Sequence, residues 1–188
     1  MPQFLKNWIR SHRHKKIIKT IEIPNQGSAL DLSCSGGQFF KKVHVVKPDL
    51  KLFGIDVSND DIEKAKRELP FTSFNLESAE KLSFQNETFD FAFSTMSLHH
   101  YENSQKVFKE IHRVLKTNGI LYLTDLIPKH KLTQKLWNLY RCPEPYHFEA
   151  YYSISDLATI LKPIGFSIVY NKKISLIPRV RILKLKKD

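Results

Sequence analysis

The chain has 188 residues, of which 41% are apolar and 26% charged, and it carries a net charge of +11; this is the composition of a single globular domain able to bury roughly 70% of its unfolded surface. No apolar run approaches the ~20 residues that span a bilayer, and Met1 to Asn7 lack the features of a secretory signal. Two cysteines, Cys34 and Cys142, make no disulfide framework, so a reducing cytoplasm is the expected setting. The basic excess favours anionic partners, whether nucleic acid, a phosphorylated metabolite or a membrane surface, but no zinc-finger spacing, aromatic RNP-type strand or basic zipper marks a nucleic-acid module.

In chain order, residues 3 to 20 carry Phe4, Leu5, Trp8, Ile9, His12, Ile17 and Ile18 at rough helical spacing, with basic residues between them. This predicts a helix over a ligand site or a sheet edge, with contact to a membrane surface as the alternative. Pro24 to Gly27 break the chain before Ala29 to Leu32, a short apolar run with the character of a buried parallel strand. Ser33 to Gly37 are small enough for a sharp turn beside a ligand, and a helix over Gln38 to Val46 would aim its free N–H groups there. A second apolar run from Lys51 ends in Asp56, roughly 20 residues beyond the turn, where a carboxylate can reach a ribose lying across the strand ends. Ser58 or Asn59 caps the next helix, Ile62 to Leu69, which Pro70 ends.

Phe71 to Leu76 and Thr88 to Thr95 read as the third and fourth strands, and Met96 to Tyr101 follow at the same rim as Asp31 and Asp56. Asn103 to Lys116 reads as a helix capped by Asn118 and Gly119 before a fifth strand, Ile120 to Thr124. Residues 129 to 152 hold Trp137, Tyr140, Tyr146, His147, Phe148, Tyr151 and Tyr152, interrupted by Pro143 and Pro145; this stretch could roof a substrate pocket or pack a core. A helix over Ser153 to Leu161, a strand over Gly165 to Tyr170, a turn at Pro178 and Arg179, and a lysine-bearing edge strand over Val180 to Leu185 complete the chain. Alternating strands and helices require parallel pairing with helices on both faces, which predicts a doubly wound α/β fold. No metal-ligand spacing occurs, since adjacent His99 and His100 cannot both face one ion from a strand or helix.

The segments Asp31 to Gly37, Gly54 to Ser58, Ser78 to Phe84, Phe89 to Ser94 and Arg113 to Gly119 together resemble the class I S-adenosylmethionine-dependent methyltransferases, in particular the small-molecule branch that includes the quinone-biosynthesis enzymes. The likeness covers about residues 25 to 170. It implies a Rossmann-like, mostly parallel seven-stranded sheet with an antiparallel last strand, and one domain over residues 1–188. Within it, 1–24 would be a basic helix, 25–128 the cofactor core, 129–152 a substrate lid, and 153–188 a closing helix and strands.

The resemblance also implies that Asp31, Ser33, Ser35, Gly37, Asp56, Val57, Ser78, Ala79 and Ser94 hold S-adenosylmethionine. Ser33 and Ser35 stand where glycines are usual, and Ser78 where an aspartate usually reads the adenine amino group; each change is expected to weaken or alter cofactor binding. Methyl transfer to a small-molecule acceptor, with an anionic one favoured by the charge, is the function implied. His99 and His100 are the expected general bases, with Tyr101 and His147 behind them, because histidine titrates near neutral pH and the pair follows the fourth strand. Three other readings stay open: a catalytically silent cofactor-binding or partner subunit, a methyltransferase of nucleic acid, and, disfavoured by the loop sequence, a nicotinamide oxidoreductase.

Overall fold

Three of the helices packed on the sheet begin where the sequence supplies a side-chain cap. Ser58 Oγ accepts the Asp61 N–H at 3.3 Å, Asn103 Oδ1 accepts the Lys106 N–H at 3.0 Å, and Ser153 and Asp156 form a reciprocal capping box. The computed structural model describes residues 3–128, 151–174 and 180–188. The helices are α1 (Gln3–Thr20), α2 (Gln38–Val46), α3 (Asn59–Glu68), α4 (Ser104–Val114) and α5 (Ile154–Leu161). The strands are β1 (Gly27–Asp31), β2 (Leu50–Asp56), β3 (Ser73–Leu76), β4 (Phe89–Thr95), β5 (Leu115–Leu126), β6 (Phe166–Lys173) and β7 (Val180–Lys187).

Among the described residues the strands form one sheet in the order β3-β2-β1-β4-β5-β7-β6. The first five run parallel, and β7 is antiparallel to both β5 and β6. The expected doubly wound sheet with an antiparallel last strand is thus the observed one. The chain order reverses between β1 and β4, so the crevice beyond their carboxyl ends is the natural ligand position.

The two faces carry separate cores. On one, Ile17 of α1 and Ile21 just after it pack with Phe39, Phe40, Val43, Ile62, Ala65, Phe93 and Tyr122, and the Tyr122 hydroxyl donates to Glu22 O at 2.7 Å. On the other, Val107, Phe108 and Ile111 of α4 and Leu157 and Leu161 of α5 cover Leu30, Ile55, Leu121 and Leu123. At roughly 1.5 to 3 kcal/mol per fully buried large apolar side chain, these two faces supply the driving force that orders the strand ends.

Three expectations change. Asn118 and Gly119 do not cap α4; they lie inside β5, which begins at Leu115. Between the pairs Phe89↔Leu115 and Phe91↔Ile120, β5 advances five residues while β4 advances two, and Asn118 takes φ 62° in the resulting bulge. Lys116 and Thr117 then reach Asp90 and Glu87. β7 is not the edge strand either, because β6 lies outside it. Its lysines are compatible with that position because Lys184 pairs with Glu22 and Lys187 Nζ donates to Leu115 O at 2.7 Å. The third strand starts at Ser73, leaving Phe71 exposed before it. The turn at Pro178 and Arg179 and most of the aromatic stretch, including Trp137, Tyr146 and His147, fall outside the described residues.

Arg113 explains one motif the sequence singled out. Its guanidinium donates to Leu82 O at 2.9 Å, Phe84 O at 2.7 Å and Asn86 Oδ1 at 3.0 Å, while pairing with Glu110 at 2.7 Å. It therefore ties the 80–86 loop to α4. Arg113→Ala should cost about 1.5 to 3 kcal/mol, since it leaves two carbonyls and Glu110 without their charged donor; a chemical-denaturation midpoint equal to wild type would refute that role.

Candidate active site

The site is built on the carboxyl ends of β1, β2 and β4. The Leu32 N–H donates to Phe93 O at 3.0 Å and the Cys34 N–H to Ile55 O at 2.9 Å, so the loop after β1 is pinned between its neighbours. Asp56 pins it a second time: Oδ2 accepts the Ser35 N–H at 2.9 Å and Oδ1 the Ser58 N–H at 3.0 Å. Ser35 takes φ 47° and Gly37 takes φ 74°. Ser35 thus holds a left-handed conformation that a glycine would adopt freely, at a cost of roughly 1 to 3 kcal/mol. Ser33 Oγ turns back to Leu32 O at 2.7 Å. Cys34 is buried, and burial, followed by the Asp31 carboxylate, pushes its thiol far up, which makes it an inert filler.

A cavity of about 790 Å³ opens over this loop. Asp31, Ser33, Ser35 and Asp56 line one side, Thr95, Met96, Ser97 and His100 another, and Arg10, Arg13 and His14 of α1 close it from above. A second hollow of about 260 Å³ adjoins it, sharing Ser33, Asp56, Val57 and His100 and adding Ser78, Ala79, Glu80 and Tyr101. The second hollow is bounded by a braced segment: Glu77 accepts from Ser83, Glu80 from the Asn103 N–H at 2.7 Å, and Glu110 from the Leu82 N–H at 2.8 Å.

Asp31 is the electrostatic centre. It is 2% exposed, and its Oδ1 has no hydrogen-bond partner. Burial pushes its carboxyl up to about 7, against a smaller opposing effect of the Ser33 N–H and reinforced by Asp56. His14 is also buried, with an unpartnered Nδ1, and burial followed by the nearby Lys42, Arg10 and Arg13 charges lowers its pKa to about 3. A cavity with an unsatisfied buried acid on its floor and the Arg10 and Arg13 guanidiniums in its roof fits a ligand that carries both signs of charge.

Of the residues expected to hold a cofactor, Asp31, Ser33, Ser35, Asp56 and Val57 line the larger cavity, and Ser78 and Ala79 the smaller. Gly37 instead turns the chain into α2, where an added Cβ would lie 3.1 Å from Leu69. Ser94 is fully buried beneath the floor, where its hydroxyl, that of Ser97 and that of Tyr101 lie within 2.9 to 3.1 Å of one another. Burial raises the Tyr101 pKa, which disfavours it as a base.

The two histidines part company on a 3-10 turn over Leu98–His100. His100 lines both hollows, whereas His99 points its Nδ1 to Asp125, at 2.8 and 3.0 Å from the two carboxylate oxygens. Asp125 is 1% exposed and also accepts the Leu98 and Leu126 N–H groups. The pair His99–Asp125 sets the turn, and the turn presents His100. Sequence reasoning passed over Asp125, although an acid at the end of an apolar strand is the same signal that marked Asp31 and Asp56. It also left Arg10, Arg13 and His14 as a general basic run, although their i, i+3, i+4 spacing places them on one helix face.

Residues 30–123 match the family model described as "Methyltransferase domain". A demethylmenaquinone methyltransferase of Chlorobaculum parvum is 27% identical over 135 residues, which is 71% of this chain and 56% of that protein. This chain spans about half the length of the curated relatives it matches. A S-adenosylmethionine-dependent methyltransferase of Methanosarcina mazei superposes with a TM-score of 0.71 at 22% identity, over 91% of this chain and 96% of that one. The [4+2]-cyclase SpnF superposes with a TM-score of 0.77 at 19% identity, over 94% and 80%. Likeness at these identities establishes the fold alone. Taken with the match to half the chain and the loop, acids and sheet order that carry the site, it makes this protein a member of the methyltransferase-domain family, the class I S-adenosylmethionine-dependent group that its motifs resemble.

Proposed function

We propose that the protein is a class I enzyme that transfers the methyl group of S-adenosylmethionine to a small-molecule acceptor in a reducing cytoplasm. The observation that carries this reading is Asp31: a buried carboxyl with an unsatisfied oxygen on the floor of the cavity calls for a cationic ligand. The cofactor fits that demand, since it brings an ammonium group and a methyl carbon held on a positively charged sulfur that leaves as a neutral thioether. Asp31 would pair with the ammonium. Asp56 uses one site on each oxygen to hold the loop and retains two more for ribose hydroxyls. Val57 would cover the base and Ser78 would read its amino group, with Ala79 beside it.

In-line displacement asks the protein mainly for alignment. Of the two candidate histidines, His100 borders the cavity and is the one able to take a proton from a bound acceptor; His99 acts through Asp125 as a positioning residue. Among the described residues no helix is long and apolar enough to cross a membrane.

The test is ligand-dependent stability. At 100 times its dissociation constant, S-adenosylmethionine or S-adenosylhomocysteine should stabilise the fold by about 2.7 kcal/mol, seen as a raised melting temperature. A greater rise with NAD would sink the reading. The left-handed Ser35 favours one second reading, a subunit that binds the cofactor without turning it over. A panel of acceptors with methyl-labelled cofactor separates the two.

A further inference from the structure

Arg10 and Arg13 stand one turn apart on α1, and both line the larger cavity. Neither makes a hydrogen bond or ion pair among the described residues. The neighbouring acid does not satisfy them: Asp125 acts on Arg13 through space, yet its oxygens are committed to Leu98, His99 and Leu126. Arg13 is half-buried, and burial lowers its pKa, so leaving this guanidinium without a counter-ion is costly in the free protein. His14 follows on the same face, 7% exposed, with its Nδ1 unpartnered.

The cavity is therefore polarised. Asp31 and Asp56 lie at the strand ends and Asp61 in the first turn of α3, whereas Arg10, Arg13 and His14 come from α1. The outer rim continues the same sign. Lys173 and Arg181 are register partners at the β6–β7 end beside the carboxyl end of β5, and Lys16 Nζ reaches Ile174 O at 3.5 Å. The other basic residues at the chain's end, Lys186 and Lys187, lie toward the opposite rim, beside Ile120 and Leu115.

We propose that Arg10 and Arg13 form an anion subsite on α1 that grips a carboxylate or phosphate group of the methyl acceptor, with His14 completing it. This rests on the methyl-transfer reading above, and it names the acceptor class: a small molecule bearing an anionic group. The planar guanidinium fork suits such a group better than a lysine would.

The test uses calorimetry on the full chain, with inorganic phosphate as the anion probe. Wild type saturated with S-adenosylhomocysteine should bind phosphate, and the double variant Arg10→Gln, Arg13→Gln should bind it at least about tenfold more weakly, as expected for loss of charged hydrogen bonds. Affinity for S-adenosylhomocysteine should change by less than about threefold, a difference too small for a lost charged hydrogen bond. Should the glutamine variant fail to fold, Arg10→Lys, Arg13→Lys keeps the charge and removes only the fork, and phosphate binding should still weaken severalfold.

Two results overturn the proposal. One is equal or absent phosphate binding in the wild type and variant. The other is a tenfold loss of S-adenosylhomocysteine affinity with unchanged affinity for 5′-methylthioadenosine, which lacks the carboxylate; the arginines would then serve the cofactor. If neither sulfur nucleoside binds the wild type, the methyl-transfer reading itself fails, and the proposal with it.

Discussion

S-adenosylmethionine should bind about tenfold more weakly for each unit by which the pH falls below about 7, and Asp31 should carry this dependence. In the ligand-free protein the Asp31 carboxyl is pushed from 3.8 up to about 7, first by burial, so at lower pH it is protonated and cannot pair with a cation. Binding near pH 6 should therefore release close to one proton, measurable by calorimetry in two buffers of different ionisation enthalpy.

The sign for stability follows from the same shift. Because the folded value is raised, the contribution to stability is fully present below 3.8 and is lost as pH rises through about 7. Across that window the loss is on the order of 4 kcal/mol. Asp31→Asn should remove both effects: the free variant should be more stable than wild type at pH 8, while its cofactor binding becomes weak and independent of pH. A flat profile in wild type would show that Asp31 is not the ammonium partner.

Asp56→Ala should weaken the cofactor by at least 1.5 to 3 kcal/mol, roughly 10- to 150-fold. Two losses combine here. The ribose hydroxyls lose a charged acceptor, and the Ser35 and Ser58 N–H groups lose the carboxylate that holds the loop after β1. Since Ser35 is strained at φ 47°, release of its N–H should let the loop relax away from the binding conformation. A second substitution tests this coupling: Ser35→Gly should cost little in wild type and should recover part of the affinity lost in Asp56→Ala. If analogues lacking the ribose hydroxyls discriminate equally between wild type and Asp56→Ala, Asp56 serves the loop alone.

The main elements of the sheet were legible because their signals are local. Gln38–Val46 begins after a small-residue turn and ends before Lys47-Pro48, and Ser58 caps α3 through a contact three residues away. Asn118-Gly119 misled for an instructive reason: the pair supplies a left-handed residue, and such a residue serves a bulge as readily as a helix end. Pairing with β4 decided between them, through Phe89↔Leu115 and the contacts of Lys116 and Thr117. The lysines of β7 misled similarly, since a charged strand usually marks an edge, and here Glu22 and the Leu115 carbonyl accept two of them.

By itself, then, the sequence determined the doubly wound order, the small-residue loop and the acids Asp31 and Asp56 at two strand ends, since caps, breakers and periodicity act over a few residues. Only the tertiary structure decided what those groups experience. His99 and His100 are adjacent in the chain, yet one is committed to Asp125 and the other borders the cavity, because a strand 26 residues away supplies the carboxylate. Arg10, Arg13 and His14 share a helix face by spacing alone, but that face becomes the roof of the cavity because Ile17 and Ile21 anchor α1 against Phe39, Phe93 and Tyr122. The raised carboxyl of Asp31 arises the same way: desolvation depends on everything packed around a group, and no window of neighbouring residues contains that information.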